Sequence, residues 1–134
     1  MTSNGNVREQ ITVALLGSTG SIGTQTIDVV ASEAERFRIT ALAAGSDVIA
    51  LAKQAAEIRP DVVVVADASR ARELSDLVPA GIAVEAGADA MAAVAASADV
   101  AVNAVVGFAG LPVTMATLAA GKRLALANKE SLIA

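Results

Sequence analysis

Seven residues near the start of the chain have the types and spacing to hold a phosphate. Gly17-Ser18-Thr19-Gly20-Ser21-Ile22-Gly23 sets three glycines at three-residue intervals among short hydroxyl side chains. Gly17 ends an apolar run where a side chain would obstruct a tight turn, and Gly20 lets the backbone approach a pyrophosphate closely. Gly23 falls in the first turn of the segment that follows, where a small residue lets a helix pack against a sheet. The free N–H groups of a first helical turn attract negative charge with no lysine required. Ser18, Thr19 and Ser21 add hydroxyl donors. The spacing is G-x-x-G-x-x-G, not the G-x-G-x-x-G dinucleotide fingerprint, so a purely structural turn is the competing reading. An apolar run before the turn and a helical pattern after it favour the phosphate site. A P-loop is ruled out by the missing Gly-Lys-Ser/Thr.

Two other groups could complete such a site. Asn128-Lys129-Glu130 offers an amide donor and acceptor, a cationic donor and carboxylate acceptors in succession. It follows an apolar run, at the carboxyl edge where α/β sheets bind ligands; a solvated turn is the plainer alternative. Gly45-Ser46-Asp47 follows a second such run. A carboxylate there accepts from the free ribose hydroxyls of NAD and repels a 2'-phosphate. Asp47 is also well placed as the N-cap of the next helix.

The chain has no His and no Cys, which removes the usual zinc sets, disulfides, thiol chemistry and histidine acid–base catalysis. Asp28, Asp61, Asp67 and Glu73 are spread over separate segments and suit caps and surfaces better than a metal site. No residue is therefore assigned a catalytic or metal-binding role.

The elements that position these groups alternate. Strands are predicted over 11–16, 37–43, 62–66, 82–84, 100–106 and 123–127. The unbroken valine run at 62–65 is what a strand covered on both faces looks like. Helices are predicted from 22, with Ile22, Thr26, Val29, Val30 and Ala34 at helical spacing opposite Asp28 and Glu33, and over 48–58, with apolar Ile49, Leu51, Ala52, Ala55 and Ala56. Further helices are predicted from a cap at Asp67 or Ser69 through 77, over 88–96, and over 111–120, opened by Pro112 and closed by Gly121. Right-handed crossovers make this a doubly wound α/β domain, Rossmann-like, with a mostly parallel sheet of six or seven strands. The expected strand order is 3-2-1-4-5-6, with the ligand above the switch between strands one and four. Residues 1–10 read as a flexible polar tail and 11–134 as one dinucleotide-binding domain.

Composition agrees. The 134 residues are 54% hydrophobic but only 1% aromatic, so Ala, Val, Ile and Leu must fill the core, as they do in thin parallel strands under close-packed helices. The net charge is −4 and the ten Lys and Arg are scattered, which argues against a nucleic-acid partner. No signal-peptide core and no apolar run of membrane-spanning length is present, so no membrane partner is expected and a cytoplasmic location fits.

LLGSTGSIGTQTIDVV, NAVVGFAGLPVTMATLAAGK and LALANKESLIA together resemble the opening portion of the 1-deoxy-D-xylulose-5-phosphate reductoisomerase family, over residues 11–134. The resemblance implies an NADPH-dependent oxidoreductase that also uses Mg or Mn. Such an enzyme converts 1-deoxy-D-xylulose 5-phosphate to 2-C-methyl-D-erythritol 4-phosphate in non-mevalonate isoprenoid biosynthesis, in the cytoplasm and as a homodimer. It implies NADPH contacts at Gly17, Thr19, Gly20, Ser21, Ile22, Gly45, Ser46, Asp47, Asn128 and Glu130, and a sugar-phosphate contact at Lys129. Where the family carries a basic residue, this chain has Ser46, and Asp47 follows. The family's metal-binding carboxylates and lid lie beyond position 134, so the resemblance implies the cofactor domain of a longer enzyme, inactive by itself. Two alternatives remain. One is a dehydrogenase of the semialdehyde type, which needs a cysteine nucleophile that is absent here. The other is a non-enzymatic nucleotide-binding module, in which Lys129 would have no substrate.

Overall fold

A computed structural model describes residues 10–104 and 123–126. Strand β1 (Ile11–Leu16) leads into helix α1 (Ser21–Ser32), then β2 (Phe37–Ala44), α2 (Val48–Ile58) and β3 (Val62–Val65). A 3-10 turn (Ala68–Arg70) precedes α3 (Ala71–Leu77), followed by β4 (Ala83–Ala86), α4 (Ala88–Ser97), β5 (Val100–Asn103) and β6 (Arg123–Leu126). The predicted helix over 111–120 and the segment 1–9 lie outside the described residues.

All neighbouring strands pair in parallel, in the order β4-β3-β2-β1-β5-β6. The doubly wound α/β reading holds, and one placement in it is corrected. The fourth strand sits at the sheet edge beside β3, not beside β1. Its residues explain this: Ala83 and Glu85 are exposed. A strand beside β1 is covered on both faces, and Glu85 would carry a charge into that interior. β5 buries Ala101 and Asn103 and takes the inner position. The strand order therefore reverses between β1 and β5, and β1 still ends at the switch.

Two apolar layers sandwich the sheet. Val13, Leu15, Leu42, Val63 and Val65 face one layer with Val48, Leu51 and Ala55 of α2 and Leu74 of α3. Ala14, Leu16, Ala41, Ala43 and Val64 face the other, under Met91, Val94 and Ala95 of α4. Alternate residues of each strand point to opposite faces, so the continuous apolar runs serve both layers. No described helix is long and apolar enough to cross a membrane.

Helix α1 is rotated relative to expectation. Ile22 and Val29 are 42% and 61% exposed, while Ile27 and Val30 contact the core. Gly23 sets this phase: it is buried against the turn, and Ile27 and Val30 share its face at i+4 and i+7. On α2, Ile49 is 70% exposed and Ala56 is also exposed. The inward stripe there is Val48, Leu51, Ala52 and Ala55.

Candidate functional site

β1 ends at the carboxyl edge of the sheet, with Leu16 in register with Ala43 of β2 and Asn103 of β5. Gly17 follows with φ of 84°, a conformation that disfavours any side chain. The Gly17 and Ser18 N–H groups both donate to the Ala43 carbonyl oxygen, at 2.8 and 3.0 Å. This bends the chain over the end of β2. The Gly20 N–H returns to the Gly17 carbonyl at 3.3 Å, and the Thr24 N–H donates to the Gly20 carbonyl at 2.9 Å, opening α1. Gly20 is the N-cap, with extended backbone and no side chain to occupy the helix end. The N–H groups of the first helical turn have no acceptor within the helix, so this end is free to receive an anion.

The three glycines do different things. A Cβ on Gly23 would overlap the Gly17 carbonyl oxygen and lie 2.7 Å from Ser18 Cα, so the helix start abuts the turn itself and not the sheet. A Cβ on Gly20 would meet the Gly17 oxygen at an ordinary 3.7 Å. The fold requires glycine at 17 and 23 and does not require it at 20. A residue that is bare without a fold reason, on the exposed rim, leaves room for a ligand to approach the backbone.

The second limb is Gly45-Ser46-Asp47, at the end of β2. All three residues are exposed. Asp47 caps α2, its Oδ1 accepting from the Ala50 N–H at 3.1 Å. The carboxylate is thereby engaged along the helix start. The loop after β3 is tied to this limb, the Asp67 N–H donating to the Gly45 carbonyl at 2.9 Å. Asp67 Oδ1 accepts from the Ser69 hydroxyl at 2.6 Å and its N–H at 3.1 Å. Those bonds, the hydroxyl first, hold the Asp67 carboxyl below the ordinary carboxylate range. Arg70 stands on this turn, paired with Glu73 at 3.3 Å. Both partners are half exposed, so the pair is weak and the guanidinium can exchange Glu73 for another anion.

The structure thus brings Gly17, Thr19, Gly20, Ser21 and Ile22 together at the end of β1, with Gly45, Ser46 and Asp47 at the neighbouring strand end. Asn128, Lys129 and Glu130 lie outside the described residues. Ser18, expected to offer a hydroxyl donor to the ligand, is fully buried with its hydroxyl inside, and Asn103 at the end of β5 is buried as well. Two residues of the site, Asn103 and Gln54, were not singled out from sequence. Gln54 of α2 donates its side-chain amide to the Ser18 carbonyl at 2.9 Å. Their one sequence signal is a polar residue inside an apolar stripe: Gln54 beside Leu51 and Ala55, and Asn103 closing the strand Val100–Asn103.

A cleft of about 190 Å³ runs between α1 and α2, with Thr24, Gln54 and Glu57 among its walls. A larger one of about 370 Å³ opens by Gln10, Phe37 and Arg38, at the opposite, amino edge. The acidic residues do not converge. Asp61 pairs with Arg38 at 2.7 Å, Asp67 caps its turn and Glu73 meets Arg70. Among the described residues no group of three side chains could hold a metal ion, so they do not fit a divalent cation.

The sequence model of 1-deoxy-D-xylulose 5-phosphate reductoisomerase matches residues 13–134. The chain belongs to this reductoisomerase family. Among similar reductoisomerases, that of Acaryochloris marina is 45% identical over 128 residues, covering 91% of this chain and 32% of the relative. That of Thermosynechococcus vestitus is 49% identical over 126 residues, covering 90% and 30%. The chain spans about a third of the length of the curated relatives it matches. The reductoisomerase of Zymomonas mobilis, solved in complex with NADPH, superposes with a TM-score of 0.87 at 38% identity, covering 93% of this chain and 34% of that one. A reductoisomerase solved with NADPH, fosmidomycin and magnesium gives 0.86 at 36% identity, covering 93% and 31%.

Proposed function

We propose that this chain is the NADPH-binding portion of a reductoisomerase that converts 1-deoxy-D-xylulose 5-phosphate to 2-C-methyl-D-erythritol 4-phosphate in isoprenoid biosynthesis. The observation that carries this is the turn Gly17–Gly23 at the β1/β5 switch, with its bare rim at Gly20, in a chain of this family. The pyrophosphate lies over Thr19, Gly20, Ser21 and Ile22, on the N–H groups of the first turn of α1. The adenosine end lies toward Gly45, Ser46 and Asp47. Asn128 and Glu130 complete the cofactor pocket, and Lys129 meets the sugar phosphate. NADPH supplies the hydride for the reductive half of the reaction when bound. The divalent cation belongs to residues other than those described here. The enzyme acts in the cytoplasm as a homodimer, on a small-molecule substrate, without nucleic-acid or membrane partners.

Titration calorimetry with NADPH on the chain and on its Gly20→Val variant tests the reading. A valine side chain would occupy the pyrophosphate's place while its Cβ sits without overlap in the free protein. Binding to the wild type and a large loss in a variant that still folds support the site. Equal affinities would place the cofactor elsewhere.

A further inference from the structure

The direction in which the turn's rim points is set by the peptide unit that joins Ser18 to Thr19. In a trans peptide the carbonyl and the N–H lie in one plane and point in opposite directions, and no cis peptide bond occurs among the described residues. The Ser18 carbonyl accepts from Gln54 Nε2 at 2.9 Å, which pins it toward α2. The Thr19 N–H, at the other end of the same plane, is therefore turned away from α2. The N–H side of Ser18 is fixed independently, by its bond to Ala43. We propose that Gln54 is a positioning residue for the cofactor: it holds the Ser18–Thr19 peptide so that the Thr19 N–H faces the pyrophosphate. The proposal rests on NADPH binding at this turn.

Gln54 satisfies the carbonyl of buried Ser18, so it serves the fold as well as the turn. Its Oε1 is buried without a hydrogen-bond partner among the described residues, and so is the Ser18 hydroxyl. A buried acceptor left unpaired destabilises a fold; methionine would fill the same space and remove that acceptor, but would leave the Ser18 carbonyl without its donor. What glutamine adds is its donor end, aimed at one carbonyl. An ionised glutamate would set a carboxylate against that carbonyl oxygen, and asparagine is one methylene shorter.

The test compares two probes on the folded chain, NADPH and adenosine 2'-phosphate, which lacks the pyrophosphate. Gln54→Met is expected to weaken NADPH about five- to tenfold and to leave adenosine 2'-phosphate within about twofold of wild type. Glu57→Gln, one turn along α2 and not bonded to the turn, should change neither. Unchanged NADPH affinity in folded Gln54→Met, or equal losses for both probes, would overturn the proposal. If Gln54→Met does not fold, a crystal structure of the wild-type chain with NADPH decides. The Thr19 nitrogen within hydrogen-bonding reach of a pyrophosphate oxygen, with the Gln54–Ser18 bond intact, supports the proposal. A broken bond, or a Thr19 N–H directed elsewhere, refutes it. Gly20→Val separates the two levels: if it leaves NADPH affinity unaltered, the site itself is wrong. If it abolishes binding while Gln54→Met does nothing, only the role of Gln54 falls.

Discussion

Gly23 rests directly on Gly17: a side-chain carbon on Gly23 would overlap the Gly17 carbonyl oxygen and reach within 2.7 Å of Ser18 Cα. The clash is with backbone, which cannot swing aside as a flexible side chain can. Gly23→Ala should therefore destabilise the chain by about 2 kcal/mol or more, the scale of overpacking in a filled interior. Gly20→Ala, with its Cβ at an ordinary contact distance, should cost far less. Urea unfolding of the two variants side by side checks the difference. Equal stabilities would mean that the turn yields more easily than its contacts imply.

Asp47 holds the start of α2 through the Ala50 N–H. Asp47→Ala should lower stability by about 1 kcal/mol, the usual worth of an N-cap, and Asp47→Asn by much less, since asparagine caps as well. Thermal melts of both variants give the result.

The Asp67 carboxyl is held below its ordinary range by the Ser69 hydroxyl and N–H. A carboxyl whose folded pKa is depressed contributes stability above its unfolded pKa, near about 3.9, and loses it as pH falls through the lower folded value. The stability difference between wild type and Asp67→Ala should thus be constant from neutral pH down to the ordinary carboxylate range and shrink below it. Melts across that range are the check. A difference that grows on acidification would contradict the assignment.

Much of the fold was legible because its signals are local. The valine run Val62–Val65 shows a doubly covered strand, and α2 begins at its Asp47 cap and ends at Ile58, as expected. The place of the fourth strand was not legible. Its position depends on which strand tolerates two covered faces, and β4 differs from β5 mainly through Glu85 and the exposure of Ala83. The phase of α1 was not legible either, because Ile22 and Val29 are as apolar as Ile27 and Val30, and the contact of Gly23 with the turn chooses between the two stripes. The glycine turn could be read from spacing and context. The Gln54 brace could not, because Gln54 and Ser18 are 36 residues apart and meet only when α2 folds over the turn.

Cofactor choice should depend on residue 46. Ser46 is exposed at the adenosine end of the proposed pocket, and Asp47 beside it is engaged in capping. An arginine at 46 would add a charge-assisted hydrogen bond to a 2'-phosphate. Ser46→Arg should raise the preference for NADPH over NADH by about tenfold or more. Paired titrations of both nucleotides on wild type and variant measure this ratio. An unchanged ratio would show that residue 46 does not face the 2'-phosphate.

The central claim is that NADPH sits with its pyrophosphate on the turn that closes β1. Amide nitrogen–proton spectra of the chain, recorded while NADPH is added, test it most directly. The account predicts saturable shifts concentrated at Thr19, Gly20, Ser21 and Ile22, with smaller ones at Gly45 and Ser46 and none at the amino-edge cleft by Phe37 and Arg38. Shifts centred on that cleft, or none at Thr19 through Ile22 at saturating NADPH, would contradict it.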